Sequence, residues 1–418
     1  MSAAPLPARW TADGHAPSIV AVLNGLQQGG VASRYATLLG EAVRRGHPCL
    51  VIAADGPART RFEAAGCDLI TPDAWDRATH RAAAEAVARA EHTIWVLAPE
   101  TVPAMGSLLA ARRISVGAHG PAEVIRRWLG DARVAIAAAT LAARPDARVV
   151  VPSRAMIPAS AGMLGIAPER ILALGHSVSA DPDLAGAPAP PVVRDIVLCA
   201  TRLAEGQRPL TRAAATLASA RGAPLVVVGT GPDAAAHRAL AARCDPPGRV
   251  IEDPAVRPWM RRASVLVGCG LVVLEALAEG CRAVCTDTEG AGAPVRVVDA
   301  GNWRRSALDN FMAGERTPEP ALLWRALHRQ TPAARRALAR TVLSEATPGA
   351  SLDALLGATG ADAVPGVPDP AAEALGALLT EIGRANAEAA DWLRQVEEAR
   401  DHHRLQTANY ERLLAGEG

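Results

Sequence analysis

From residue 17 to about residue 345, short apolar runs alternate with Ala-rich stretches of helical length. That alternation leaves very few fold classes open. Ser18 to Leu23 reads as a strand, Gly29-Gly30-Val31 as a turn, Ala32 to Arg45 as a helix ended by Gly46, and Pro48 to Ala53 as the next strand. Further strands are expected at Thr93–Leu97, Ser115–Ala118, Arg148–Val151, Asp195–Cys199, Pro224–Val228, Val265–Val267 and Arg282–Cys285. Runs this short and this apolar are buried on both faces, which points to parallel sheets covered by helices. The expected fold class is α/β, with two Rossmann-like parallel-sheet domains.

Breaks in composition place the domain boundaries. Residues 1–16 read as a flexible N-terminus, 17–180 as the first domain and 181–194 as an interdomain linker. The stretch Ser179–Val193 carries six Asp or Pro residues, which suits a connection between domains. The second domain is expected over 195–346. Residues 347–370 are rich in Gly, Pro, Ala and Asp and read as a loose linker. Beyond them a heptad begins. Leu375, Ile382, Ala389, Val396, His403 and Tyr410 fall seven apart, and Leu378, Ala385, Trp392, Ala399, Gln406 and Leu413 fall three after each. Six heptads in register predict a coiled-coil helix over 371–418, joining copies of the chain through residues 371–415.

Charge and residue usage exclude several function classes. The 44 basic and 43 acidic residues give a net charge of +1, so no global field favours nucleic acid or an anionic membrane. All 44 basic residues are Arg. Schiff-base chemistry, pyridoxal anchoring and a Walker-type phosphate lysine are therefore excluded. No apolar run approaches the roughly 20 residues of a spanning helix, and the first residues show no secretory pattern, so a cytoplasmic location is expected. The seven Cys are scattered, without zinc-type spacing, and are expected as reduced core residues.

Four segments carry the candidate chemistry. Gly29 and Gly30 lie between the first strand and a helix, where backbone N–H groups and the helix dipole attract phosphate. Gly229 and Gly231 follow the Val-rich strand of the second domain, at the end where open α/β sheets bind ligands. Arg202, closing another strand, suits bidentate capture of an anion, and Arg208 lies six residues on. Gly268 and Gly270 precede a helix that carries Glu275 and, four residues later, Glu279. Near that helix start Glu275 is placed to accept hydrogen bonds from sugar hydroxyls.

Taken in order, these segments resemble a known family. The chain is similar to a GT-B glycosyltransferase of the retaining, bacterial family 4-like type. The resemblance runs through Gly29-Gly30-Val31 and Arg45-Gly46-His47, then Arg148 to Arg154 and Ala167 to Ile171. It continues in Thr201-Arg202-Leu203, Val228 to Pro232 and Leu271 to Gly280. It implies that Arg202 grips the donor diphosphate, with Arg208 helping, and that Glu275 binds the ribose. It implies that Gly29 and Gly30 face the donor phosphates and acceptor. It also implies that His119, in Gly117-Ala118-His119-Gly120, is an active-site residue. Such enzymes need no metal, because Arg and helix dipoles neutralise the leaving diphosphate.

Three departures from the family pattern stand out. Gln207 occupies the place of a second diphosphate cation, Val267 that of a first carboxylate, and His176-Ser177 that of an Asn-Gly pair. A bacterial subgroup with a short Gly-x-Gly loop and a Gly-rich stretch before Asp-Asn-Phe is similar, through Glu289 to Gly292 and Leu308 to Phe311. The expected function is therefore sugar transfer from a nucleotide-diphosphate sugar to an acceptor hydroxyl of unknown class. Two rivals stay open: an inactive GT-B scaffold working through its coiled coil, supported by Val267 and Gln207, and a nucleotide-sugar epimerase using His119 and His176.

Overall fold

The computed structural model describes residues 16–27, 29–71, 77–120, 122–178, 196–253, 256–286, 294–304 and 319–358. The first domain is built on seven strands: β1 (Ile19–Gly25), β2 (Cys49–Ala54), β3 (Asp68–Ile70), β4 (His92–Val96), β5 (Ile114–Gly117), β6 (Arg148–Val151) and β7 (Ile171–Ala173). They pair in the order β3-β2-β1-β4-β5-β6-β7, all parallel. Its helices are α1 (Gly30–Arg44), α2 (Arg59–Ala64), α3 (Arg77–Arg89), α4 (Ala122–Leu129), α5 (Asp131–Ala143) and α6 (Ile157–Leu164). Because successive residues of a strand point to opposite faces, β1 feeds two cores. Val20 and Val22 pack on one side, and Ile19, Ala21 and Leu23 pack against α1 on the other.

The second sheet holds β8 (Val197–Ala200), β9 (Leu225–Val228), β10 (Arg249–Ile251), β11 (Val265–Gly268), β12 (Arg282–Thr286) and β13 (Pro294–Val298), in the order β10-β9-β8-β11-β12-β13. Only the β12–β13 pair among these is antiparallel. Around it pack α7 (Arg208–Ser219), α8 (Ala234–Ala241), α9 (Arg257–Met260), α10 (Leu271–Ala278), α11 (Pro320–Arg329) and α12 (Pro332–Glu345). Each sheet reverses its winding once, between β1 and β4 and between β8 and β11. A crevice opens at the carboxyl ends of the strands at such a switch point.

The two parallel-sheet α/β domains are those the alternation predicts. The described cysteines are all free, and all but Cys269 are buried. Four strands went unread: β3, β7 and β10, of three residues each, and β13. Three residues are too few to show a period.

The expected linker over 347–370 needs a correction. Its first part is a helix, α13 (Pro348–Ala358). Leu352 and Leu355 are buried in the α1 side of the first-domain core, and Arg45 Nη1 meets Asp353 Oδ1 at 2.5 Å. Gly, Pro and Ala suggested a loose segment, but leucines three apart gave the helix an apolar face, and burying that face decides the outcome. The chain thus returns from the second domain to the first. Where it does so, the Val178 amide donates to Ala346 O at 2.8 Å. Residues 1–15, the linker 181–194, the Glu289 to Gly292 and Leu308 to Phe311 motifs and the heptad segment 371–418 lie outside the described residues. Among the described residues, no helix is long and apolar enough to cross a membrane.

Candidate active site

The two switch points face each other across a cleft of about 550 Å3. The first domain contributes the start of α1. Gly29 has extended backbone (φ 161°) and accepts from the Ser33 amide at 3.0 Å, which opens the helix. The first N–H groups of a helix have no partner within it, so this end presents donors and partial positive charge to the cleft. Ser33 and Thr37 line the same wall. Arg61, from α2, reaches it too and donates to Ser33 Oγ at 2.6 Å.

The second domain contributes Thr201-Arg202-Leu203, which follows β8. Backbone bonds hold this loop against the one after β9: Leu203 N to Thr230 O at 2.9 Å, and Asp233 N to Leu203 O at 2.9 Å. Two glycines make the approach possible. A Cβ on Gly229 would sit 1.8 Å from Thr201 O, and one on Gly231 would sit 2.3 Å from Leu203 O. Gly229 lines the cleft and Gly231 does not, so Gly231 serves to seat the loop that presents Arg202. Arg202 crosses to the other domain, where a Cβ on Gly29 would lie 2.8 Å from its Nη2.

Glu275 enters from α10. Gly270 caps that helix at φ +67°, a conformation glycine adopts freely. Leu271, Val272 and Glu275 line the cleft, whereas Gly268 and Gly270 lie just behind it and set the helix start. Burial raises the Glu275 carboxyl above its ordinary range, Arg257 and Arg61 pull it back down, and Glu279 adds to the rise. Glu279 itself is buried and pairs with Arg261 at 2.9 Å, tying α10 to the segment after α9.

Arg208 corrects the expectation that it helps hold the donor. It grips Asp233 with two bonds, Nε to Oδ2 at 2.6 Å and Nη2 to Oδ1 at 2.8 Å, and does not line the cleft. Gln207, next to it, meets the Thr201 hydroxyl at 3.3 Å. His119 is likewise absent from the wall that holds Arg202 and Glu275. It sits behind the start of α1, with Nε2 2.7 Å from Tyr35 Oη and its ring edge-on to Tyr35. Val267 is fully buried within β11.

Sequence reasoning missed Arg257, Arg61 and Asp253, all of which line the cleft. Arg257 and Arg61 lie on helices of four and six residues, too short to show a period in the sequence. The lining therefore combines three guanidiniums, two carboxylates and the starts of α1, α9 and α10 among the described residues. Cations and N–H donors of this kind fit a diphosphate, and a carboxylate beside them fits sugar hydroxyls. Among the described residues, no group of three His, Cys, Asp or Glu is placed to hold a metal ion.

Residues 194–313 match the family model described as "Glycosyl transferases group 1". No curated protein sequence matches the chain. Solved structures share its fold. HepE from Anabaena, solved in complex with UDP-glucose, is 14% identical with a TM-score of 0.61, covering 81% of this chain and 98% of that one. A glycosyltransferase from Rickettsia africae is 13% identical with a TM-score of 0.54, covering 82% and 98%. An α-glucosyltransferase solved with UDP is 12% identical with a TM-score of 0.52, covering 79% and 95%. The two-domain architecture is the GT-B fold.

Proposed function

We propose that this chain transfers a sugar from a nucleotide-diphosphate sugar to an acceptor hydroxyl, with the donor held in the interdomain cleft. Nucleotide-sugar glycosyl transfer agrees with the group 1 match over the second domain and with structural neighbours solved with UDP or UDP-glucose. The observation that carries the proposal is the meeting of Arg202 and Glu275 with the Gly29–Gly30 helix start in one cleft.

Each group has a part. Arg202 holds the diphosphate, with Arg257 and Arg61 beside it, and Glu275 accepts from the ribose hydroxyls. The acceptor hydroxyl meets the anomeric carbon on the face the diphosphate leaves, so that its new bond forms as the bond from that carbon to the β-phosphate oxygen breaks, and its proton passes to the departing phosphate oxygen. Negative charge then builds on the leaving diphosphate, where fixed guanidiniums and the α1 N-terminus stabilise it at no reorganisation cost. We read the transfer as retaining and metal-independent, on the resemblance and on the three arginines. The heptad over residues 371–415 supports a proposal that copies of the chain associate, and light scattering on chains ending at Pro370 tests it.

A thermal-shift screen against nucleoside diphosphates and their sugars tests the function. A ligand at 100 times its dissociation constant adds about 2.7 kcal/mol of stability. One nucleoside diphosphate is expected to shift the transition, and no shift with any of them contradicts the proposal.

A further inference from the structure

Beside the cleft lies a cluster of polar groups that the donor site does not use. Arg34, on the first turns of α1, is 2% exposed. Its Nη2 donates to Leu174 O at 2.6 Å, and its Nη1 is buried with no hydrogen-bond partner. Two histidines flank it: His119, just past β5, and His176, two residues after Leu174. Each residue is half-buried, and each has a buried Nδ1 without a partner. Tyr35 Oη holds His119 through Nε2 at 2.7 Å. Glycine at 117 leaves room for that pair, since a Cβ there would fall 2.5 Å from His119 Nε2 and 2.6 Å from Tyr35 Oη.

The charges in this cluster do not balance. No carboxylate pairs with Arg34 among the described residues, and an uncompensated buried guanidinium is costly. Burial of the two imidazoles, and then the Arg34 charge, holds both neutral, His176 down to about 3 and His119 well below its ordinary value. When the Tyr35 hydroxyl donates to His119 Nε2, that ring carries its proton on Nδ1, as a donor. Arg34 Nη1 and the two Nδ1 atoms then make three unsatisfied polar groups around one positive charge. With His176 also protonated on Nδ1, an anion would satisfy all three.

We propose that Arg34, His119 and His176 form a subsite for an acidic group, carboxylate or phosphate, on the acceptor. Position supports the acceptor over the donor. Ser33 and Ser177 line the cleft, and their chain neighbours Arg34 and His176 make the cluster. It thus adjoins the cleft on the first-domain side, at the carboxyl ends of β5 and β7, whereas Arg257 and Glu275 belong to the second domain. The proposal rests on the transfer reading, which supplies the acceptor.

The test titrates the full chain, saturated with UDP, with two probe pairs: methyl glucuronide against methyl glucoside, and glycerol 3-phosphate against glycerol. At least one acidic probe is expected to bind tenfold more tightly than its neutral partner. The pair that shows the preference distinguishes carboxylate from phosphate. Arg34→Gln is expected to erase the preference and leave UDP affinity unchanged. If that variant does not fold, His176→Gln serves instead, with an expected loss of at least threefold. Equal binding of acidic and neutral probes to the wild-type chain overturns the subsite, as does a preference that survives the substitutions. A selectivity confined to UDP-glucuronate over UDP-glucose also overturns it, because the anion is then on the donor. Failure of UDP to bind is a separate result, against the donor site. The probe pairs are then compared without UDP, with the same outcomes for the subsite.

Discussion

The Arg202 guanidinium of the second domain packs against the Gly29 backbone of the first: a methyl placed on Gly29 falls 2.8 Å from Arg202 Nη2. The contact joins the residue expected to hold the diphosphate to the helix start expected to face it. It also separates two roles a glycine can have. With φ at 161°, Gly29 has extended backbone that any residue adopts, so its side-chain-free face matters and its conformation does not. Gly29→Ala is expected to displace the Arg202 tip and weaken nucleoside diphosphate binding severalfold, with the melting temperature nearly unchanged. Calorimetry on the purified variant checks both. Unchanged affinity would mean that Arg202 shifts without consequence.

Glu275 carries a cost of burial that its removal exposes. Its carboxyl titrates above the ordinary range because burial disfavours the charged form, despite Arg257 and Arg61. The folded chain therefore binds this proton more tightly than the unfolded chain does. Stability falls as pH rises from the ordinary carboxylate range of about 4.3 through the raised value. Glu275→Gln is expected to melt above the wild type at pH 7, with the difference gone near pH 4. It is also expected to lose more affinity for a nucleoside diphosphate than for pyrophosphate, because the ribose contact goes. Equal losses for both ligands would mean that the residue supports the loop without touching the sugar.

Arg208 is expected to behave as a structural residue. Its two bonds to Asp233 join the start of α7 to the turn before α8. Arg208→Ala should lower the melting temperature and leave nucleoside diphosphate affinity unchanged. A tenfold loss of affinity, measured by titration, would return Arg208 to the cleft.

The returning helix α13 should matter to the first domain. Leu352 is fully buried against α1, and truncating a buried leucine costs about 2–5 kcal/mol. Leu352→Ala is expected to lose that much in denaturant unfolding, and a loss below about 0.5 kcal/mol would mean that α13 is not docked in solution.

What could be read in the sequence follows from how far each signal reaches. The long apolar strands announced themselves, because a strand buried on both faces is apolar throughout, as in Leu225–Val228. β3, β7 and β10 are too short to show a period, and α13 was hidden by the Gly and Pro around its leucines. At the site, Gly29, Arg202 and Glu275 were legible because each sits at a strand-to-helix junction that has its own local pattern. Arg61 and Arg257 were not, since only the folded chain brings their helices to the cleft. Arg208 misled for the same reason. Its sequence position suits an anion, and only the tertiary structure supplies Asp233. That Arg34 Nη1 and the Nδ1 atoms of His119 and His176 are buried without partners likewise shows only once three distant segments are packed together.

The central claim is that Arg202 holds a nucleoside diphosphate between the two domains. It is tested most directly by calorimetric titration of wild-type and Arg202→Ala chains with the nucleoside diphosphate that gives the largest thermal shift. A charge-assisted contact contributes about 1.5–3 kcal/mol. The dissociation constant is therefore expected to rise at least tenfold in a variant that melts like the wild type. The same affinity in both chains, with the variant folded, would contradict it.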